Sequence, residues 1–215
     1  MNWIWIVGAP LVRAIMSIVF RVRIEGIDHV PRDGAVIVAP NHVSVLDGPA
    51  VSSITGTGRW RPTRNLIAAE VFHGLLGWIL EQAWQVPIRR GAGDTGALDE
   101  AIEAARSGSC IGIFPEGRVH DDPRAGLQRI RSGLTRVALP TGTPVVPVGI
   151  WGTHDVWPRA GLDRASLLRR HTMAVVYGEA LVPRPDDSPA AFRARFHDGL
   201  DEVVSRARTL AGDPA

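Results

Sequence analysis

The sequence predicts an α/β fold, a mixed and mostly buried sheet flanked by helices. Three observations lead to that expectation. From residue 34 onward, apolar runs of strand length alternate with longer segments of helical period. Runs such as residues 35–39 and 145–150 are apolar at nearly every position, as strands covered on both faces are. The segments richest in reactive side chains stand directly after such runs, where folds of this class place their chemistry. At 215 residues, 45% of them hydrophobic, and with no internal repeat, the chain suits one substantial core rather than two.

The first element is the apolar stretch WIWIVGAPLVRAIMSIVF, residues 3–20, whose only charge is Arg13 and which no small-residue cleavage site follows. Arg13, Ser17 and Arg21 recur at spacing four and share one helical face, with Leu11, Ile15, Ile18 and Val22 on the other. This layout favours an amphipathic helix lying in a bilayer interface, with Trp3 and Trp5 at headgroup level, over one that crosses the bilayer. A helix packed on the core is the other reading.

Strand 35–39 comes next, then the segment Asn41-His42-Val43-Ser44-Val45-Leu46-Asp47, with a helix expected over 44–55. A strand over 65–69 leads into a strongly apolar helix, 70–82, and a short strand, 84–88, ends at Arg89 and Arg90. Asp94 or Thr95 caps a helix to about Arg106, and Gly108 stops it before strand 110–114. Helix 132–139, strand 145–150, strand 172–177 and a terminal helix over 188–210 complete the order.

Composition narrows the partners. All 24 basic residues are Arg, so any bound anion meets planar guanidinium forks. A net charge of +2 is compatible with an anionic membrane or substrate and too mild to point to nucleic acid, for which no motif is present. The single cysteine, Cys110, allows no intrachain disulfide and fits a reducing, cytoplasmic setting. His73, His120 and His154 lack the spacing of a metal site, and no metal or cofactor is implied.

His42 can take a proton near neutral pH, and a carboxylate on its other ring nitrogen would fix the tautomer. On a continuous helix, residues five apart sit some 140° apart, so pairing His42 with Asp47 requires a turn between them, which Asn41 can help form. Taken alone, the two residues read better as a surface loop histidine and a helix-terminal acid, because the spacing is common. Phe114-Pro115-Glu116-Gly117-Arg118 ends a strand in a turn that projects a carboxylate beside a guanidinium, suited to a polar head with hydroxyl and phosphate groups. Ser44 reads as a turn or cap residue rather than a nucleophile.

Together these segments resemble the 1-acylglycerol-3-phosphate acyltransferase family, marked by an N-H-x-x-x-x-D box and an F-P-E-G box about seventy residues later. Glu116 follows His42 by 74 residues. The resemblance extends through Gly26 to Pro31, Gly77 and Trp78, Ile88-Arg89-Arg90 and Val146-Pro147-Val148, about residues 20 to 180 in order. It implies a glycerolphosphate acyltransferase-like fold, with residues 1–22 as a membrane-associating helix and 23–215 as the acyltransferase domain. It further implies His42 as general base oriented by Asp47, and Glu116, Gly117, Arg118, Arg90 and Arg131 around the acceptor and its phosphate. The donor would be acyl-CoA or an acyl carrier protein, the acceptor lysophosphatidic acid, and the location the cytoplasmic face of a membrane, peripheral or monotopic.

Two departures bear on the acceptor. The commonest family form has Thr between the glycine and the arginine, whereas Arg118 follows Gly117 directly, a variant found among members that acylate other lysophospholipids. Where the family often has lysine after the second strand, this chain has Ala69. Another lysophospholipid or a glycolipid is therefore the alternative acceptor, and a lipid hydrolase or non-catalytic lipid-binding protein the more distant alternative.

Overall fold

In the computed structural model, which describes residues 2–89 and 95–213, the chain begins with helix α1 (Trp3–Val19), capped by the Asn2 side chain on the Trp5 N–H. Strand β1 (Arg21–Glu25) follows after Phe20, which is extended and fully buried. The next elements are β2 (Val36–Pro40), α2 (Asp47–Arg59), β3 (Thr63–Ala68), α3 (Gly74–Gln82) and β4 (Val86–Ile88). Then come α4 (Thr95–Arg106), β5 (Cys110–Gly112), α5 (Gly133–Thr141), β6 (Val145–Trp151), β7 (Thr172–Tyr177) and α6 (Pro189–Ala211).

The strands form one sheet in the order β1-β7-β6-β2-β5-β3-β4. The five strands from β6 to β4 are mutually parallel, while β7 and β1 run the other way at one side. This is the mixed, helix-flanked sheet that the alternating pattern predicts. Period-two geometry divides the core: Val36 and Val38 face one side with Val146, Val148, Met173, Val175 and the buried faces of α1 and α2. Ile37 and Ala39 face the other, with Ile111, Val145 and the apolar stripes of α4, α5 and α6. Gly149 lets α6 lie directly on β6, since a Cβ there would stand 2.1 Å from the Val203 carbonyl oxygen.

The structure departs from several sequence expectations. The helix ends at Val19, so the boundary expected at 22 falls inside β1, where Arg21 and Val22 pair in register with Thr172 and Met173. The expected helix over 70–82 breaks at His73: a single 3-10 turn precedes α3, and Gly74 has φ +57°. From the sequence, that helix has apolar surface on several faces, enough to touch acyl chains or bilayer as well as core, with core packing the expectation for most of it. Leu75, Leu76, Trp78 and Ile79 are instead exposed and, in α3, only Gly77 is buried. Strand 110–114 ends as β5 at Gly112, which frees Ile113 and Phe114 to lead into the loop.

α1 is amphipathic in a different sense from the one its charges suggest. Trp5, Ala9 and Met16 are buried, and the Trp5 indole N–H donates to the Ala83 carbonyl after α3. Arg13 bonds Ser17 on its own helix. Trp3, Ile6, Val7, Leu11, Ile15 and Ile18 are left exposed. The helix therefore has two apolar faces, one on the protein and one open. Among the described residues, no helix is long and apolar enough to cross a membrane.

Candidate active site

Parallel strands place all their C-terminal ends on one edge of a sheet. Because β2 lies between β5 and β6, the loops leaving these three strands meet. They carry His42 and Asp47, Glu116 to Arg118, and Thr153.

Asn41 anchors the first loop. Its N–H donates to the Val148 carbonyl, and its side-chain amide exchanges two hydrogen bonds with Ile150 at 2.7 and 3.1 Å, continuing the ladder beyond the strand. It tethers the turn to β6 as an extension of the sheet. The helix expected from 44 starts at Asp47 instead, leaving the turn that the pairing of His42 with Asp47 requires.

His42 Nδ1 lies 3.0 Å from Asp47 Oδ2, which also accepts the Val43 and Ser44 N–H groups at 2.7 Å each. Asp47 Oδ1 accepts the Thr153 hydroxyl at 2.6 Å. Asp47 is fully buried, and both of its oxygens have hydrogen-bond donors. An accepting carboxylate requires the Nδ1–H tautomer of His42, which leaves Nε2 as a proton acceptor. Nε2 makes no hydrogen bond among the described residues. The imidazole lies against Phe114 with ring centroids 4.1 Å apart. Ser44 is occupied twice, donating to the Trp157 carbonyl and accepting from the Leu46 N–H, as a turn residue should be.

Glu116 is almost fully buried. Its Oε1 accepts the His42 backbone N–H at 3.2 Å, and its Oε2 accepts the backbone and side-chain N–H groups of Gln128. Burial pushes its carboxyl up from the usual range, while the donors from Gln128 and His42 and the neighbouring His120 act in the opposite sense. Gln128 also accepts the Arg118 Nε–H at 2.8 Å, so Glu116 joins the His42 backbone to Arg118 through one amide. Gly117 adopts φ +73°, and a Cβ there would lie 2.7 Å from Arg131 Cδ. Arg131 donates from Nε to the Glu116 carbonyl at 3.0 Å. Arg118 is half exposed and 3.9 Å from Asp121.

Five of the sequence-derived site residues, His42, Asp47, Glu116, Arg118 and Arg131, thus surround one turn with Gly117 at its bend. Arg90 lies outside the described residues. Residues to which the sequence reading gave no role complete the site: Thr153, Gln128, Phe114, quoted there only as part of its box, and His120, whose N–H donates to the His42 carbonyl at 2.7 Å. Thr153 was findable, because it follows strand 145–150 closely at the edge where chemistry gathers. Nothing in the sequence marks Gln128.

A cavity of about 230 Å³ reaches the site. Ala9 and Val12 of α1, Pro49 of α2, Ile67 of β3 and Ile79 and Leu80 of α3 line it, and Phe114, the ring against His42, closes one side. Its polar lining residues are hydrogen-bonded: Asn65 donates to Ser52 and to Gln85, Gln85 donates to the Thr63 carbonyl, and Ser53 to the Ala50 carbonyl. The lining otherwise presents hydrocarbon. Cys110 is buried, and burial pushes its thiol up to about 11, so it is a poor nucleophile. Among the described residues, no group of three or more His, Cys, Asp or Glu side chains is placed to hold a metal ion.

Comparison with known proteins agrees with this geometry. The Acyltransferase family model matches residues 21–151. An uncharacterised protein of Mycobacterium tuberculosis is 37% identical over 95% of this chain and 55% of its own length. The lyso-ornithine lipid O-acyltransferase of Pseudomonas aeruginosa is 34% identical over 70% of this chain and 55% of its own. The chloroplastic 1-acyl-sn-glycerol-3-phosphate acyltransferase LPAT1 of Arabidopsis thaliana is 26% identical over 65% of this chain and 38% of its own. The chain spans about half the length of the curated relatives it matches most fully. The crystal structure of the 1-acyl-sn-glycerophosphate acyltransferase PlsC from Thermotoga maritima superimposes with a TM-score of 0.74, covering 92% of this chain and 78% of that one at 22% identity, and so shares the fold. With more than half of its length matched by the family model, and with the family's two boxes meeting at one sheet edge, the chain belongs to the Acyltransferase family.

Proposed function

We propose that this chain transfers a fatty acyl group from acyl-CoA or an acyl carrier protein to the free hydroxyl of lysophosphatidic acid, with His42 as the general base. The observation that carries this reading is the position of the His42 ring, its Nδ1 held by a buried carboxylate and its face against a residue of the apolar cavity. The acyl chain lies in the cavity, Nε2 removes the acceptor proton, and the resulting alkoxide character attacks the thioester carbonyl. The tetrahedral intermediate expels the thiolate, which takes the proton back from the imidazolium. A thiol leaving group with pKa near 8.5 needs no strong acid beyond that. No acyl-enzyme is required, in keeping with the occupied Ser44 and the buried Cys110.

Arg118 and Arg131 flank the turn beside His42 and supply guanidinium groups for the acceptor phosphate. The likeness to a lyso-ornithine lipid acyltransferase favours a second reading, in which the acceptor is another lysolipid. One labelled acyl-CoA offered to a panel of lysophosphatidic acid, lysophosphatidylcholine and lyso-ornithine lipid, with products identified by mass spectrometry, separates the two. Preference for lysophosphatidic acid supports the first. Arg118→Ala should then raise KM for that acceptor about tenfold or more, since hydrogen bonds between charged groups are the strong class. Unchanged acceptor dependence removes Arg118 from this role.

The open faces of α1 and α3, joined through Trp5 and Ala83, support attachment at a membrane surface, from which the acyl chain enters the cavity between them. Replacing Leu75 and Trp78 together by Ser should lower liposome co-sedimentation at least about tenfold, because each side chain contributes roughly 1.5–3 kcal/mol on burial. The melting temperature should hold, as both side chains stand outside the core. Equal binding by the variant rejects α3 as part of the membrane face.

A further inference from the structure

The turn after β6 holds the His42 box from two sides. Gly152 adopts φ +90°, and a Cβ there would lie 2.0 Å from the Thr172 carbonyl oxygen, so the chain reverses tightly against β7. The Thr153 carbonyl then accepts the N–H groups of Val156 and Trp157 at 3.2 and 3.0 Å, which closes the turn. From this turn Trp157 accepts the Ser44 hydroxyl at 2.6 Å, and Thr153 donates to Asp47 Oδ1 at 2.6 Å. Thr153 is fully buried, as is Asp47.

The two oxygens of Asp47 are held unequally. Oδ2 has three donors, two of them backbone groups from the same short segment as His42. Among the described residues Oδ1 has one, the Thr153 hydroxyl, and it comes from the turn after β6. The plane of the carboxylate, and with it the lone pair offered to His42 Nδ1, is therefore fixed by a contact 106 residues away in sequence. A hydroxyl suits the task chemically: it satisfies Oδ1 without cancelling the negative charge, as an Arg or Lys partner would.

We propose that Thr153 is a positioning residue of the acyl-transfer site, which orients Asp47 so that the His42 ring is held as its Nδ1–H tautomer. This rests on His42 being the general base. Thr153→Val keeps the shape, removes the donor and leaves Oδ1 buried without a partner; Thr153→Ser restores the hydroxyl. Two readouts are taken on the full chain. In acyl transfer, Thr153→Val should lower kcat about ten- to a hundredfold with acceptor KM nearly unchanged, the effect expected for a lost hydrogen bond to a charged group.

In nitrogen NMR of protein labelled with ring-15N histidine, with the His42 signals assigned by their absence from His42→Gln, the valine variant should show a mixture of ring tautomers. Thr153→Ser should return both readouts towards those of the unaltered protein. If valine does not fold, Thr153→Ala carries the same expectations. A variant lacking the hydroxyl that keeps normal kcat and a pure Nδ1–H signal overturns the proposal, as does a serine variant as impaired as valine. Normal turnover by His42→Gln, with the ring signals still disturbed in Thr153→Val, instead rejects His42 as the base and leaves the positioning contact standing.

Discussion

His42→Ala should lower acyl transfer by about a hundred- to ten-thousand-fold, the usual contribution of a positioned general base. The loss should appear in kcat, because on the proposed mechanism the ring acts on the proton of the attacking hydroxyl, and the cavity proposed for the acyl chain is lined by other residues. Neither Ser44, which is bonded at both ends, nor Glu116, which is turned to the His42 backbone and Gln128, is free to replace it. The fold should survive, since Asp47 keeps the Val43, Ser44 and Thr153 donors. Initial rates at saturating acceptor, beside a thermal melt, check both statements. Near-normal turnover would falsify the mechanism.

Asp47→Asn is expected to be nearly as damaging, on the order of 10³- to 10⁴-fold in kcat, as when a catalytic histidine loses its buried carboxylate. Three N–H groups converge on Oδ2, so the amide oxygen will take that place and the NH₂ will face Thr153. Thr153 must then turn its hydroxyl to accept, and its own proton loses its partner in a fully buried spot, costing about 1–3 kcal/mol. The imidazolium formed during the reaction no longer has an anion beside it. The variant should therefore show both a large fall in kcat and a modest fall in melting temperature. A fall in stability with unaltered kcat would mean that Asp47 serves the fold alone.

These expectations depend on residues that differ in how far the sequence exposes them. The sheet was readable because β2, β6 and β7 are apolar at nearly every position, which sheets covered on both faces demand. β1 was not, because Arg21, Arg23 and Glu25 alternate with Val22 and Ile24 at the sheet's edge directly after a helix. The outward apolar face of α3 was misjudged for a related reason: periodicity shows that a face is apolar and is silent on what covers it. His42 and Asp47 were found through the motif, but their spacing gave no account of the turn. Asn41, paired with Ile150, and Thr153, bonded to Asp47, hold that turn through contacts more than a hundred residues away in sequence. Glu116 was legible as a site residue, while its bond to the His42 backbone depended on Gln128 and on the adjacency of β5 and β2.

The central claim is that the site joins an acyl thioester to a lipid hydroxyl, and consumption of labelled acyl-CoA with and without an acceptor lipid tests it most directly. The account predicts that release of free CoA requires the lysolipid and is matched mole for mole by a diacyl product seen by mass spectrometry. Equal CoA release with and without acceptor, with free fatty acid as the product, would contradict it and mark the site as that of a hydrolase.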